Sequence, residues 1–371
     1  MSHISIFSAS IGNGHNEASS ALKEQFELQG FDVSIIDTFY SIHPFLHKLF
    51  LEGYLNMLRF TPRLWGKLYK YSGKYSWFLL MDQLGSVFSE QLYQMIERNQ
   101  TTMMISTHPF VTGFLVALKK KKKLSIPLYT VITDLGLHPA YARPEIDGYF
   151  TASPEIEEFA KKHNIPIQQC FCTGIPIKAV PDTTIPRQQL REELQLSPSV
   201  KTVVITGGGL GLSKYVEIIN QLEQLKEPIQ VICMTGTNRK IGQQIDRVKS
   251  KHCIRVIPYT EHFTRYIRAS DVIISKPGGL TMSEALACET PVIICDSVPG
   301  HEEENADFLE KCGTAVKVEF AKEMVDVLDR IFDDKVYYAS LVSNAKKLKK
   351  PDAAQRIIQA IDMLEASKKE G

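Results

Sequence analysis

The chain has 371 residues, 44% of them apolar, with 43 basic residues against 42 acidic ones. So even a balance excludes a global field drawing it to nucleic acid, and the length points to two domains with ample cores. Seven cysteines without a CxxC pair make no disulfide framework, which suits a reducing cytoplasm.

The N-terminus passes directly into a strand at 3–8, without the zones of a signal peptide, so a cytoplasmic location is expected. Residues 8–22, SASIGNGHNEASSAL, follow with two glycines, a lone histidine and then helical spacing that closes at Gly30, a C-terminal cap position. Gly12 and Gly14 give GxG, but Glu17 replaces the third glycine of a dinucleotide fingerprint. Asp37, near the end of the second strand at 32–37, stands where a ribose-binding acid belongs and keeps an NAD reading open.

Between the second and third strands, residues 45–80 interleave cations (Lys48 and Lys67 among them) with aromatics that include Phe60, Trp65, Tyr69 and Trp77, against one acid, Glu52. Helices of that makeup lie in the interface of an anionic bilayer, or else bury their aromatics and solvate their basic face. The uncharged stretch 99–118 is long enough to span a bilayer, but Ser106, Thr107, His108 and Pro109 break it into strand, loop and helix. KKKKK at 119–123 ends that helix, either as a solvated C-terminus or as an extension of the basic patch.

Further strands fall at 102–106, 127–132 and 168–172, and Asp134 and His138 follow one of them. The second half repeats the alternation with KTVVIT, IQVICM, IRVI, DVIIS and PVIIC. Two doubly wound parallel α/β sheets are therefore expected, with ligands at the C-terminal strand ends. Pro176, Pro181 and Pro186 mark a connection. The expected organisation is a first domain over 1–175, a linker over 176–187, a second domain over 188–350, and a C-terminal helix over 351–371 that packs back on the first.

Two glycine loops stand out in the second half. After DVIIS, Gly278 and Gly279 allow close backbone approach, and the helix beginning at Leu280 turns its free amides toward a ligand. Glu284, a turn further on, is placed to accept from ribose hydroxyls, although a glycine-rich turn with a solvated glutamate has the same sequence. TGGGLG at 206–211, with Gly207, Gly208 and Gly209, is a second such loop. Two in one domain favour a diphosphate ligand, and neither carries the GK[ST] of a nucleotide hydrolase.

NGH at 13–15, TDLGLH at 133–138, TGIPI at 173–177, SKPGGLTMSE at 275–284 and PGHEEENA at 299–306 occur in an order and spacing that cover nearly the whole chain. In these motifs the chain resembles the processive diacylglycerol glucosyltransferases and monogalactosyldiacylglycerol synthases, relatives of the GlcNAc transferase that forms lipid II. The resemblance implies a GT-B fold and inverting, metal-independent transfer of a hexose from a UDP-sugar to a lipid hydroxyl at the inner face of the cell membrane. It implies that Gly278, Gly279 and Thr281 hold the diphosphate, beside Leu280, with Glu284 on the ribose and the TGGG loop bordering the phosphates. Tyr259 and Thr260 would flank uracil, and Glu302, Glu303 and Asn305 would lie near the donor sugar. Gly12, Asn13, Gly14 and His108 would stand on the acceptor side. His301 replaces the glutamine of the family's PGQE, and an imidazole cannot reproduce an amide's donor and acceptor pattern, so the hexose is left open between glucose, the first choice, and galactose.

Departure of UDP needs no protein acid, unlike an alcohol leaving group, but the incoming hydroxyl needs a base. His15, on the loop after the first strand, is the leading candidate, the alternative being a histidine that only caps its helix. Asp134 is second, as base or partner, and His138 and His108 follow strands of the same sheet. The partners expected are a UDP-sugar, a lipid acceptor and an anionic membrane surface, with no nucleic acid, metal or cofactor. Competing readings are a GlcNAc transferase acting on an undecaprenyl-linked acceptor, a UDP-GlcNAc epimerase, and a UDP-sugar sensor without catalysis.

Overall fold

The computed structural model describes residues 3–10, 13–42 and 85–370 except 320, together with separate positions between 52 and 83. The chain divides into two units. One comprises Met1–Lys178, Pro299–His301 and Asp352–Gly371, and the other Ala179–Val298 and Glu302–Pro351.

Six strands form the sheet of the first unit: β1 (His3–Ser8), β2 (Asp32–Asp37), β3 (Thr101–Ser106), β4 (Leu128–Val131), β5 (Gly148–Thr151) and β6 (Cys170–Cys172). Their order is β2-β1-β3-β4-β5-β6, and all pairs are parallel. Alternation along β1 sends Ile4 and Ile6 into one core, with Leu22, Phe26 and Val131, and Phe7 into another, with Met104, Val111 and Leu115. A strand covered on both faces needs apolar side chains at nearly every position, hence the continuous runs in the sequence. The helix Gly14–Leu28 covers one face and ends in a Schellman pair, Gly30 N–H to Glu27 and Phe31 N–H to Phe26, with Gly30 at φ +85. The C-terminal helix Ala353–Glu370 lies against the same core through Ile357, Ile358 and Ile361. Its polar edge is tied down as well. The Tyr129 hydroxyl donates to Glu365, and Asp147 accepts from Lys119 at 2.6 Å, Lys368 at 2.9 Å and the Leu128 amide at 2.8 Å.

The second unit holds β7 (Thr202–Thr206), β8 (Gln230–Gly236), β9 (Cys253–Pro258), β10 (Val272–Ser275), β11 (Val292–Ile294) and β12 (Ala315–Lys317), in the order β12-β11-β10-β7-β8-β9 and again wholly parallel. The doubly wound α/β expectation holds for both units. Two strands have no counterpart in the sequence reading, β5 and β12. Only a 3-10 turn, Pro139–Tyr141, separates β4 from β5, so the helical spacing that flags a new parallel strand is missing there. The other is a three-residue edge strand.

In each sheet the winding reverses direction once, between β1 and β3 and between β7 and β10. Ligands of open α/β sheets bind outside the strand ends at such a reversal. The four loops that follow these strands carry His15, Thr107 with His108, the 206–211 glycines, and Gly278 with Gly279. The lysine run at 119–123 is largely committed inside its unit: Lys119 to Asp147, Lys120 to Glu145 at 3.0 Å and Lys122 to Glu90 at 2.7 Å. No helix among the described residues is long and apolar enough to cross a membrane.

Candidate active site

His15 is the second residue of the Gly14–Leu28 helix and is half-buried. Its Nδ1 lies 2.7 Å from the Thr107 carbonyl oxygen and 2.8 Å from the Thr133 hydroxyl. A carbonyl only accepts, so Nδ1 carries the proton, and in the neutral ring Nε2 keeps its lone pair. Among the described residues no hydrogen bond reaches Nε2. Burial holds the ring's pKa below its usual value of 6.5, against the field of the half-buried Asp134 and the Thr107 bond, which raise it. The Ser19 hydroxyl, which bonds both the His15 carbonyl at 2.8 Å and Thr107 Oγ1 at 3.0 Å, fixes the helix start to the loop after β3.

The other two histidines of this unit's strand ends use their rings differently. His108 caps the helix Pro109–Lys122, its Nδ1 accepting from the Phe110 amide at 3.2 Å, and burial keeps its pKa well below 6.5. Its ring meets that of His15 edge-on, centroids 4.5 Å apart. His138 caps the Pro139–Tyr141 turn through Nδ1, which accepts from the Ala140 amide at 3.1 Å, while Nε2 donates to the Tyr69 carbonyl at 3.3 Å. Both its nitrogens are therefore spent on structure, and burial lowers its pKa. Asp37 likewise serves its own loop, accepting from Ser10 and from the Tyr40 amide.

In the second unit the TGGGLG loop closes on itself. Gly208 at φ +71 and Gly211 at φ +59 shape it, Leu212 N–H returns to the Gly207 carbonyl, and the Gly207 amide donates to the buried Tyr215 hydroxyl at 2.8 Å. A Cβ on Gly207 would lie 2.4 Å from the Leu212 backbone, so this loop admits no side chain there. Gly278, at φ −67 and ψ 133, precedes the helix Gly279–Ala287, and a Cβ built on it meets nothing within 4 Å. The first amides of that helix have no side-chain cap. Thr281 is half-buried in the first turn and Glu284 is buried.

Residues 15–177 match the monogalactosyldiacylglycerol (MGDG) synthase family, and residues 202–357 match the glycosyltransferase family 28 C-terminal domain. The chain belongs to these glycosyltransferases. A processive diacylglycerol beta-glucosyltransferase of Bacillus cereus strain G9842 is 28% identical over 359 residues, which are 96% of this chain and 92% of that one. The counterpart in Bacillus thuringiensis strain Al Hakam is 27% identical over the same shares. Among solved structures, MurG of Acinetobacter baumannii superposes with a TM-score of 0.64 at 17% identity, covering 98% of this chain and all of that one. The UDP-GlcNAc 2-epimerase of Neisseria meningitidis bound to UDP-GlcNAc superposes with a TM-score of 0.61 at 14% identity, covering 97% and 99%. The fold is GT-B, as the sequence motifs imply.

In this glycosyltransferase the residues of PGHEEENA divide between the units. His301 groups with the first, its ring 5.8 Å from that of Tyr69, which in turn stands 4.5 Å from the His138 ring. Gly300, at φ +108, lets Tyr69 approach, since a Cβ there would sit 2.9 Å from the ring. Glu302 and Asn305 belong to the second unit and grip the turn before the Gly279–Ala287 helix: Glu302 accepts from Lys276 at 2.7 Å, and Asn305 donates to the Pro277 carbonyl at 2.9 Å. Tyr259 is exposed, its amide bonded to the Gly236 carbonyl, and the Thr260 hydroxyl caps the next turn by accepting from the His262 amide. Asn13 precedes the first helix and donates to Glu17 at 3.3 Å. Gly12, Lys48, Trp65 and Trp77 lie outside the described residues, whereas Phe60 and Lys67 are exposed and Tyr69 is half-buried. Sequence reasoning missed Thr107, whose carbonyl sets the His15 tautomer, Thr133 beside it, and Lys276. The only signal for Lys276 was its place directly after a strand and before two glycines.

Proposed function

We propose that this protein transfers glucose from a UDP-sugar to diacylglycerol, with inversion, at an anionic membrane surface on the cytoplasmic side. The observation that carries the reading is His15: its Nδ1–H is committed to the Thr107 carbonyl, and burial keeps the ring neutral near pH 7. A sensor would need no such group. In the reaction the acceptor hydroxyl attacks the anomeric carbon from the side opposite UDP and passes its proton to Nε2 of His15, which inverts that centre. The diphosphate is received by the uncapped amides at Gly279 and by the 206–211 loop, donors aimed at the charge that develops there. Similarity to the Bacillus enzymes over 96% of the chain supports the acceptor and the sugar. Glu284, buried one turn into the helix, is assigned to the ribose, and Tyr259 to the edge of the base.

For membrane contact, Phe60, Leu64 and Tyr71 are 70%, 51% and 59% exposed. Leu64, Lys67 and Tyr71 follow the i, i+3, i+7 spacing of one helical face. Apolar groups beside a lysine suit the interface of an anionic bilayer. The deciding experiment offers labelled UDP-glucose, UDP-galactose and UDP-GlcNAc, each with diacylglycerol or a prenyl phosphate in phosphatidylglycerol vesicles. Label is expected in a glucosyl-diacylglycerol. Label in the prenyl lipid only, or no transfer from any donor, would defeat the proposal.

A further inference from the structure

Lys276 occupies the residue between β10 and the Pro277–Gly278–Gly279 turn, where the winding of the second sheet reverses. Its ammonium donates to Glu302 Oε1 at 2.7 Å, and Glu302 Oε2 accepts from the Val298 amide at 2.9 Å. The carboxylate is the inner member of the pair: the Glu302 side chain is 4% exposed and that of Lys276 is 21% exposed. Asn305, three residues on and on the same side of its helix, is fully buried and holds the Pro277 carbonyl. Two side chains of one helix thus fix two consecutive residues of the turn. The lysine stem also reaches the other glycine loop, because a Cβ built on Gly208 would meet only Lys276 Cε, at 3.8 Å.

An ammonium has three N–H donors. One is committed to Glu302, and among the described residues the other two have no acceptor on the protein. Burying a carboxylate is costly, and an apolar pair of similar volume would serve packing alone as well or better. What this pair achieves that an apolar one cannot is to hold a cation at a set place beside two glycine loops.

We propose that Lys276 is the countercharge for the departing nucleoside diphosphate and that Glu302 is its positioning residue; the inference rests on reading the second unit as the donor site. As the bond from the anomeric carbon to the β-phosphate oxygen breaks, its electron pair stays on that oxygen. The acceptor oxygen forms the new bond to the same carbon, and its proton goes to Nε2 of His15. The negative charge gained by the diphosphate is met by the two remaining Lys276 N–H groups, together with the helix amides.

The test is calorimetric titration of wild type, Lys276→Ala, Lys276→Arg and Glu302→Gln with UDP and, separately, with uridine, which has the base and ribose but no phosphate. The alanine variant is expected to bind UDP about tenfold or more weakly, with uridine binding unchanged. Arginine should restore part of the loss, and Glu302→Gln should fall between. Lys276→Gln gives the same comparison should the alanine variant fail to fold. Binding of UDP by the charge-removed variant within twofold of wild type would overturn the inference, as would an equal loss for uridine, the mark of a merely structural role. Failure of the wild type to bind UDP at all would remove the donor-site reading itself, and this inference with it.

Discussion

At His15 the protonation of one nitrogen decides what the other can do. The Thr107 carbonyl makes Nδ1 the protonated atom, and burial lowers the pKa below 6.5. In the proposed reaction the base is the neutral ring, so activity is expected to be retained at pH values above the lowered pKa and lost as pH falls through it. The acid limb of kcat/KM for transfer is therefore expected below pH 6.5, and a limb at or above that value would mean the buried ring is not the base. His15→Ala should lower kcat by about a hundredfold or more while UDP titrates normally, since removing a general base typically costs factors of 10²–10⁴. His15 stood out in the sequence as a lone histidine directly after a first strand. His138 looked similar there, yet its two ring nitrogens are occupied by Ala140 and Tyr69, contacts no local pattern encodes. Lys276 was hidden for the same reason: its partner Glu302 lies 26 residues away.

At the scale of elements, Gly236 at the end of β8 and Gly278 before the Gly279–Ala287 helix are glycine for different reasons. Gly236, at φ +55, would place a Cβ 2.2 Å from the Gly209 carbonyl oxygen, so Gly236→Ala must displace the 207–211 loop and is expected to cost about 2 kcal/mol or more of stability. Gly278 is at an ordinary φ with open space around its missing Cβ. Gly278→Ala should therefore cost at most about 1 kcal/mol, as for an N-cap glycine, yet weaken UDP binding by about tenfold or more by intruding where phosphate oxygens approach. Thermal melts and UDP titrations of the two variants check this, and equal behaviour would contradict it. Most strands preceded by a helix were legible, because β1, β3, β7 and β10 are buried on both faces and read as apolar runs; AVK at 315–317 also follows a helix but is too short to show such a run. GYFT at 148–151 was not, as the turn before it carries no helical spacing.

At the scale of the molecule, the C-terminal helix returns to the first unit and is fastened by charge as well as by Ile357, Ile358 and Ile361. Burial pushes the Asp147 carboxyl up, but hydrogen bonds from Lys119, the Leu128 amide and Lys368 outweigh it and hold the pKa below 3.8. A carboxyl lowered on folding stabilises above its unfolded pKa, and that contribution is lost as pH falls through the folded value. Asp147→Asn is thus expected to cost about 1–3 kcal/mol at pH 7, with the gap to wild type narrowing below pH 3.8. Urea unfolding at both pH values measures it, and a constant gap would contradict the assignment. The return of this helix was expected from the sequence only as a packing partner, since Asp147 and Lys368 stand 221 residues apart. The most direct measurement of the whole account is a crystal structure with UDP: the diphosphate should lie beside Gly278, against the first amides of the Gly279–Ala287 helix, and beside the Gly208 loop, with the ribose on Glu284. UDP bound elsewhere, or a pocket at Gly278 that stays empty at saturating nucleotide, would contradict it.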